Sequence, residues 1–188
     1  MNTLDVVFYG SILLWFCSEI YYKQKLKSVE NDQKKDNSTL NILWVVIIPS
    51  VFCAVFVSEK LQIAISDHIW IKYLGLFFIL SGTVFRFIII RSLGKFFTVD
   101  VSIKEDHQIK KEGFYKYIRH PSYTFSLMSF FGLGLFLNNW ISLAFAFIPV
   151  FLAFRYRIKI EEKVLIDKFG DEYLEYKKAT KKLIPFIY

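Results

Sequence analysis

Two apolar runs decide the fold: YTFSLMSFFGLGLFL at residues 123–137 and WISLAFAFIPVFLAF at 140–154, parted only by Asn138-Asn139. Each is shorter than the ~20 residues that cross a hydrocarbon core at 1.5 Å per residue. So brief a break predicts a tight helical hairpin, shallow in the bilayer or only just spanning it. Three longer apolar runs precede it, Leu4–Tyr22, Ile42–Ser58 and Ile69–Ile90. The chain has 188 residues, is 54% hydrophobic and contains 21 Phe, too much apolar surface for a soluble domain of this length to hide. The expected class is therefore an all-α integral membrane protein with about five transmembrane helices.

Basic residues test that layout, because cytoplasmic loops carry the excess of Lys and Arg. The Lys23–Asn41 connection holds five, Glu59–His68 one, Arg91–Ser122 seven, Asn138-Asn139 none, and the tail from Arg155 nine. The alternation predicts an outside N-terminus and a cytoplasmic C-terminus. The net charge of +7 is then a one-sided, membrane-facing charge, dispersed over loops rather than gathered into a nucleic-acid face, so no nucleic-acid partner is expected. Met1–Asp5 has no basic n-region, which predicts that the first span is retained. Cys17 and Cys53 both fall within spans, which supports neither a disulfide framework nor a metal site. The polar stretch Ser28–Thr39 reads as a solvated loop without chemistry.

Chemistry gathers at the lip of the hairpin, in Gly113-Phe-Tyr-Lys-Tyr-Ile-Arg-His-Pro-Ser-Tyr123. Pro121 suits the first turn of a helix, and the free N–H groups of such an end favour a carboxylate or phosphate. His120 reads either as an interfacial cap or as part of a site. Tyr115, Tyr117 and Tyr123 likewise suit an aromatic belt or a pocket. Val99, Val101 and Ile103 alternate with polar residues, a hint of extended chain before the turn at Gly113. The fifth run is expected to continue as a cytoplasmic helix until Gly170, with a short amphipathic helix over about Glu172–Lys181. On that continuation Arg157 and Glu161 share one face, as a surface ion pair or as two contacts to one ligand. The hairpin brings them near His120, while Glu162 points about 100° away. Arg86, inside the third run, either has a polar partner or reaches for the interface. Glu19, Asp67 and His68 read as structural or solvated.

With those residues in view, the C-terminal half resembles the isoprenylcysteine carboxyl methyltransferase family, part of a wider group with phospholipid methyltransferases. The resemblance runs through Leu93-Gly-Lys-Phe-Phe-Thr98, Asp106-His107, the Arg119-His-Pro-Ser-Tyr123 motif with Gly113 and Tyr115, Arg157-x-x-x-Glu-Glu162, Phe169–Lys178 and Leu183-Ile-Pro185. It implies a methyltransferase core over residues 91–188 behind N-terminal membrane helices over 1–90. The implied cofactor is S-adenosylmethionine, contacted by His107, Gln108, Ile109, Lys110, Tyr115, His120, Pro121, Ser122, Tyr123 and Glu161. Arg157 is then expected to orient the carboxylate of a lipophilic acceptor such as an isoprenylcysteine, drawn from the lipid bilayer. Competing readings are a phospholipid amine N-methyltransferase, a sterol-reductase-like oxidoreductase and a non-enzymatic membrane protein.

Overall fold

The computed structural model describes residues 3–25, 33–36, 38–94, 97, 101–103, 108–185 and 187–188. In chain order these form α1 (Thr3–Lys25), β1 (Gln33–Asp36), α2 (Ser38–Lys60), α3 (Trp70–Leu93), β2 (Val101–Ile103), a 3₁₀ turn (Gly113–Lys116), α4 (Pro121–Phe136), α5 (Trp140–Phe169) and α6 (Asp171–Ala179). Helices α1, α2, α3 and α5 are long and apolar enough to cross a membrane, whereas α4 has only 16 residues. The fold is the expected all-α bundle, with one short ribbon added between its loops. Strands β1 and β2 pair antiparallel, Gln33 opposite Ile103 and Lys34 opposite Ser102, with an irregularity before Asp36. This ribbon ties the α1–α2 connection to the α3–α4 connection. Thr39, which the sequence placed in a solvated stretch, is buried, and residues 28–32 and 37 of that stretch lie outside the described residues.

The hairpin forms as its turn residues dictate. Asn138 takes a left-handed φ of 50°, which asparagine tolerates better than most residues. Asn139 caps α5, its side-chain oxygen accepting from the amides of Ile141 and Ser142 at 3.0 Å. The Asn138 side chain also grips Ser66, donating to its carbonyl at 2.8 Å and accepting from its amide at 3.1 Å, so the α2–α3 loop is laced to this turn. At the other end α5 runs without a break to Phe169, and Gly170 stops it with φ 54°.

Helices α3 and α4 approach each other closely. Small residues permit it, because a side chain at Gly82 would put its Cβ 2.6 Å from the Phe125 carbonyl, and one at Gly132 would put it 2.6 Å from the Gly75 carbonyl. Helix α2 packs on α5 through a core of Leu43, Val150, Phe154 and Ile158, into which Leu183 of the tail inserts. Helix α1 lies more loosely, held by Phe8 stacked on Phe136 at 3.8 Å and by Trp15 against Phe130 at 4.7 Å. Gly132→Val is expected to cost about 2–3 kcal/mol by forcing α3 from α4. A fall in the melting temperature of detergent-purified protein, absent in Gly10→Ala where nothing lies within 4 Å, would verify it.

Candidate active site

One end of the bundle is organised by a buried carboxylate. Glu162 and Arg119 are both largely sealed from solvent, and Arg119 Nε donates to Glu162 Oε1 at 2.9 Å. Lys177 Nζ lies 3.3 Å from the other carboxylate oxygen, and His120 Nε2 lies 3.4 Å from Oε1. Arg119 Nη1 also donates to the carbonyls of Lys177 and Thr180, meeting the electronegative end of α6. Thus the segment before α4, the C-terminal part of α5 and the last turn of α6 share one charge cluster. The tail completes it: the amides of Arg119 and His120 donate to Lys181 and Lys182, and Thr124 Oγ1 donates to the Leu183 carbonyl at 2.7 Å.

Beside this cluster stands a second polar array. Tyr123 Oη accepts from Arg157 Nε at 2.9 Å and donates to Glu161 Oε2 at 2.8 Å, so a hydroxyl joins the two groups that the sequence placed on one helix face. Arg157 Nη1 donates to Thr39 Oγ1 of α2 at 3.2 Å. His120 does not cap its helix; Pro121 occupies the first turn as expected, and the imidazole faces Glu162 and Glu161 instead. The anion site expected of this helix end is smaller than the sequence suggested. The Tyr123 and Thr124 amides already donate to the His120 carbonyl, leaving the Ser122 amide as the first-turn donor without a partner among the described residues. Burial, reinforced by the negative charge of Glu161, pushes the Tyr115 hydroxyl well above the usual tyrosine range, so it stays protonated.

These side chains border a cavity of about 510 Å³, a volume suited to a small-molecule ligand. Gln108, Ile109, Lys110, Tyr115, His120, Ser122, Tyr123, Arg157 and Glu161 all line it. Lys110 reaches its wall with Nζ on the Ser92 carbonyl. Pro121, fully buried, starts α4 between His120 and Ser122, both of which line the cavity. His107 and its neighbour Asp106 lie outside the described residues. The cavity continues as an apolar arm between α1 and α2, past Trp15, Phe16, Leu43 and Trp44. Phe16 and Phe52 line this arm yet are more than half exposed, so it opens sideways onto the apolar outer surface.

Of the two readings open for Arg86, one holds. Arg86 has a partner rather than a route to the interface: Nε lies 2.6 Å from Glu19 Oε1, and Nη1 donates to the Ser122 carbonyl at 3.3 Å. Arg119 was noted only within its motif and Glu162 only as pointing away from Arg157, while Thr39 and the α1 and α2 aromatics were not singled out. For Arg119 and Glu162 a signal existed, since opposite charges stood in the two motifs that the hairpin brings together. Thr39 carried none.

Fold and cavity together define an integral multi-pass membrane protein with a polar chamber at one bundle end and an apolar side arm. The profile of the isoprenylcysteine carboxyl methyltransferase (ICMT) family matches residues 74–167. Protein-S-isoprenylcysteine O-methyltransferase B of Arabidopsis thaliana is 36% identical over 126 residues, 65% of this chain and 64% of its own. The Saccharomyces cerevisiae protein-S-isoprenylcysteine O-methyltransferase is 37% identical over 116 residues, 61% of this chain and 48% of its own. A solved eukaryotic intramembrane Ras methyltransferase, isoprenylcysteine carboxyl methyltransferase, superposes with a TM-score of 0.59 at 25% identity, covering 81% of this chain and 54% of that one. The chain belongs to the isoprenylcysteine carboxyl methyltransferase family, while spanning less than two thirds of the length of these relatives.

Glu162→Gln is expected to destabilise the protein by about 3–5 kcal/mol, because it leaves Arg119 buried and its charge unmet. Chemical denaturation in detergent reads this. Glu172→Gln, which loses only the exposed pair with Lys111, should change stability by less than ~1 kcal/mol.

Proposed function

We propose that the protein transfers a methyl group from S-adenosylmethionine to the carboxylate of a lipophilic acceptor, an isoprenylcysteine or a similar acid. The observation that carries this reading is the continuity of one cavity, which runs from Arg157 and Glu161 to an apolar arm open to the side. A lipid-borne acid needs both parts at once. Membership of the family and the names of the Arabidopsis and yeast relatives support the acceptor class.

The chamber suits the cofactor. Glu161 presents a partly exposed carboxylate able to take an ammonium or ribose hydroxyls. Tyr115 and Tyr123 offer aromatic faces that favour a sulfonium, and Ile109, Val164 and Leu165 offer an apolar slot for a flat base. When bound, S-adenosylmethionine supplies an electrophilic methyl group. The acceptor carboxylate, with a reference pKa of about 4, is already ionised at neutral pH and calls for no general base. Arg157 orients it through charge-assisted hydrogen bonds, and the apolar walls keep water from the reacting atoms. Tyr123 keeps the guanidinium in place and joins it to Glu161.

In this reading residues 91–188 hold the cofactor and residues 1–90 furnish the acceptor arm. The chain crosses the bilayer about five times, with the N-terminus outside and the site on the cytoplasmic side. The alternation of basic loops supports that orientation. At 16 residues α4 is about 24 Å long, the shortest of the five crossings.

Purified protein incubated with methyl-labelled S-adenosylmethionine, prenylcysteine acids and phospholipids should place the label in a base-labile ester of the acid. Label on a phospholipid amine, or none on any lipid, contradicts the proposal. Arg157→Ala should lower turnover about 10- to 100-fold, the worth of a charge-assisted hydrogen bond, with S-adenosylhomocysteine affinity preserved. Full turnover by this variant refutes the role of Arg157.

A further inference from the structure

The start of α2, outside the matched residues 74–167, reaches into the site. Thr39 is 1% exposed, and its Oγ1 accepts from Arg157 Nη1 at 3.2 Å. On another edge the same guanidinium donates through Nε to Tyr123 at 2.9 Å. Two helices thus hold one planar cation at two corners, α2 through Thr39 and α4 through Tyr123. Arginine has long, rotatable arms, and a guanidinium pinned twice has lost that freedom during folding instead of at ligand binding.

The position of Thr39 gives this bond a direction. Leu40, Leu43 and Trp44, in the turn that follows it, line the apolar arm, whereas Arg157 lines the polar chamber. Thr39, just behind the cavity wall, therefore links the helix that lines the apolar arm to the guanidinium that lines the chamber. Helix α2 does not need the hydroxyl to stay on α5, because Leu43, Val150, Phe154 and Ile158 already join the two helices in an apolar core.

We propose that Thr39 is a positioning residue for the methyl acceptor: it fixes the plane of the Arg157 guanidinium relative to the apolar arm. A lipid tail lying along α2 and a carboxylate meeting Arg157 are then placed by one rigid unit. Binding energy from the remote tail is in this way spent on orienting the reacting group. The inference rests on the reading of Arg157 as the group that orients the acceptor carboxylate.

The test is a double-mutant cycle on full-length protein in detergent, with a farnesylated cysteine derivative as acceptor. Thr39→Val keeps the shape and removes the hydroxyl; it should lower kcat/KM for the acceptor about tenfold and leave the S-adenosylhomocysteine dissociation constant within twofold. Thr39→Ser should restore most of the loss. In the Arg157→Ala background Thr39→Val should have no further effect, since Thr39 acts through that side chain. Thr39→Ala provides a second hydroxyl deletion should the valine variant fold poorly. Unchanged kcat/KM in both deletions, or an equal loss with and without Arg157, overturns the proposal. If Arg157→Ala itself retains full turnover, the underlying reading of Arg157 fails. If Arg157→Ala is impaired while the Thr39 deletions are not, only the role of Thr39 fails.

Discussion

A carboxylate buried at Glu162 has to be met by cations, and the geometry of the whole bundle end follows from where those cations come from. Arg119 arrives from the segment before α4 and Lys177 from α6, while the imidazole of His120, at the start of the hairpin, lies against the same carboxylate. An unpaired charge at this depth would cost several kcal/mol, so the three elements are secured as a group. Once Arg119 is fixed, its backbone and that of His120 bond to the tail, and Leu183 enters the apolar core between α4 and α5. The cavity wall is thereby defined before any ligand arrives.

Around that anchor the labour is divided between apolar and polar contacts. The glycines of α3 and α4 let two backbones meet, which places the start of α4 beside Arg86. Arg86 in turn holds Glu19 of α1, the loosest helix in the bundle. Helix α1 is thus tied at one end by an ion pair and at the other by the stacking of Phe8 on Phe136. Between these ties the apolar arm opens towards α2. A site built this way takes a polar head and an apolar tail from different directions, which is the demand a lipid acid would place on it.

Much of this was legible because it depends on local chemistry. Asn138-Asn139 announces a turn and a cap, Pro121 a helix start, Gly170 a helix stop, and the structure has all three. The approach of Glu161, on the face it shares with Arg157, to His120 followed from helix periodicity plus one short hairpin, whereas the Tyr123 hydroxyl that joins the two was not foreseen. What escaped depends on distant partners. Glu162 looked misdirected when judged from the face of Arg157, yet its own face meets Arg119, 43 residues away. Thr39 lies in a polar stretch whose composition resembles loop, and only the packing of α2 on α5 carries it to Arg157. Gln33–Asp36 has little intrinsic strand character, and its pairing with Val101–Ile103 is set by the neighbouring chain. Arg86 and Glu19 sit in separate apolar runs, and nothing in either run announces the other.

The central claim is that the polar chamber and the apolar arm between α1 and α2 serve one ligand. Photo-crosslinking with a diazirine-bearing farnesyl cysteine tests it most directly, in protein saturated with S-adenosylhomocysteine. The expected result is label on α1 and α2 peptides, at Phe16, Leu43 or Trp44, lost on competition with unlabelled acceptor. Competable label confined to the outer face of α3, or label that no acceptor displaces, would contradict the claim.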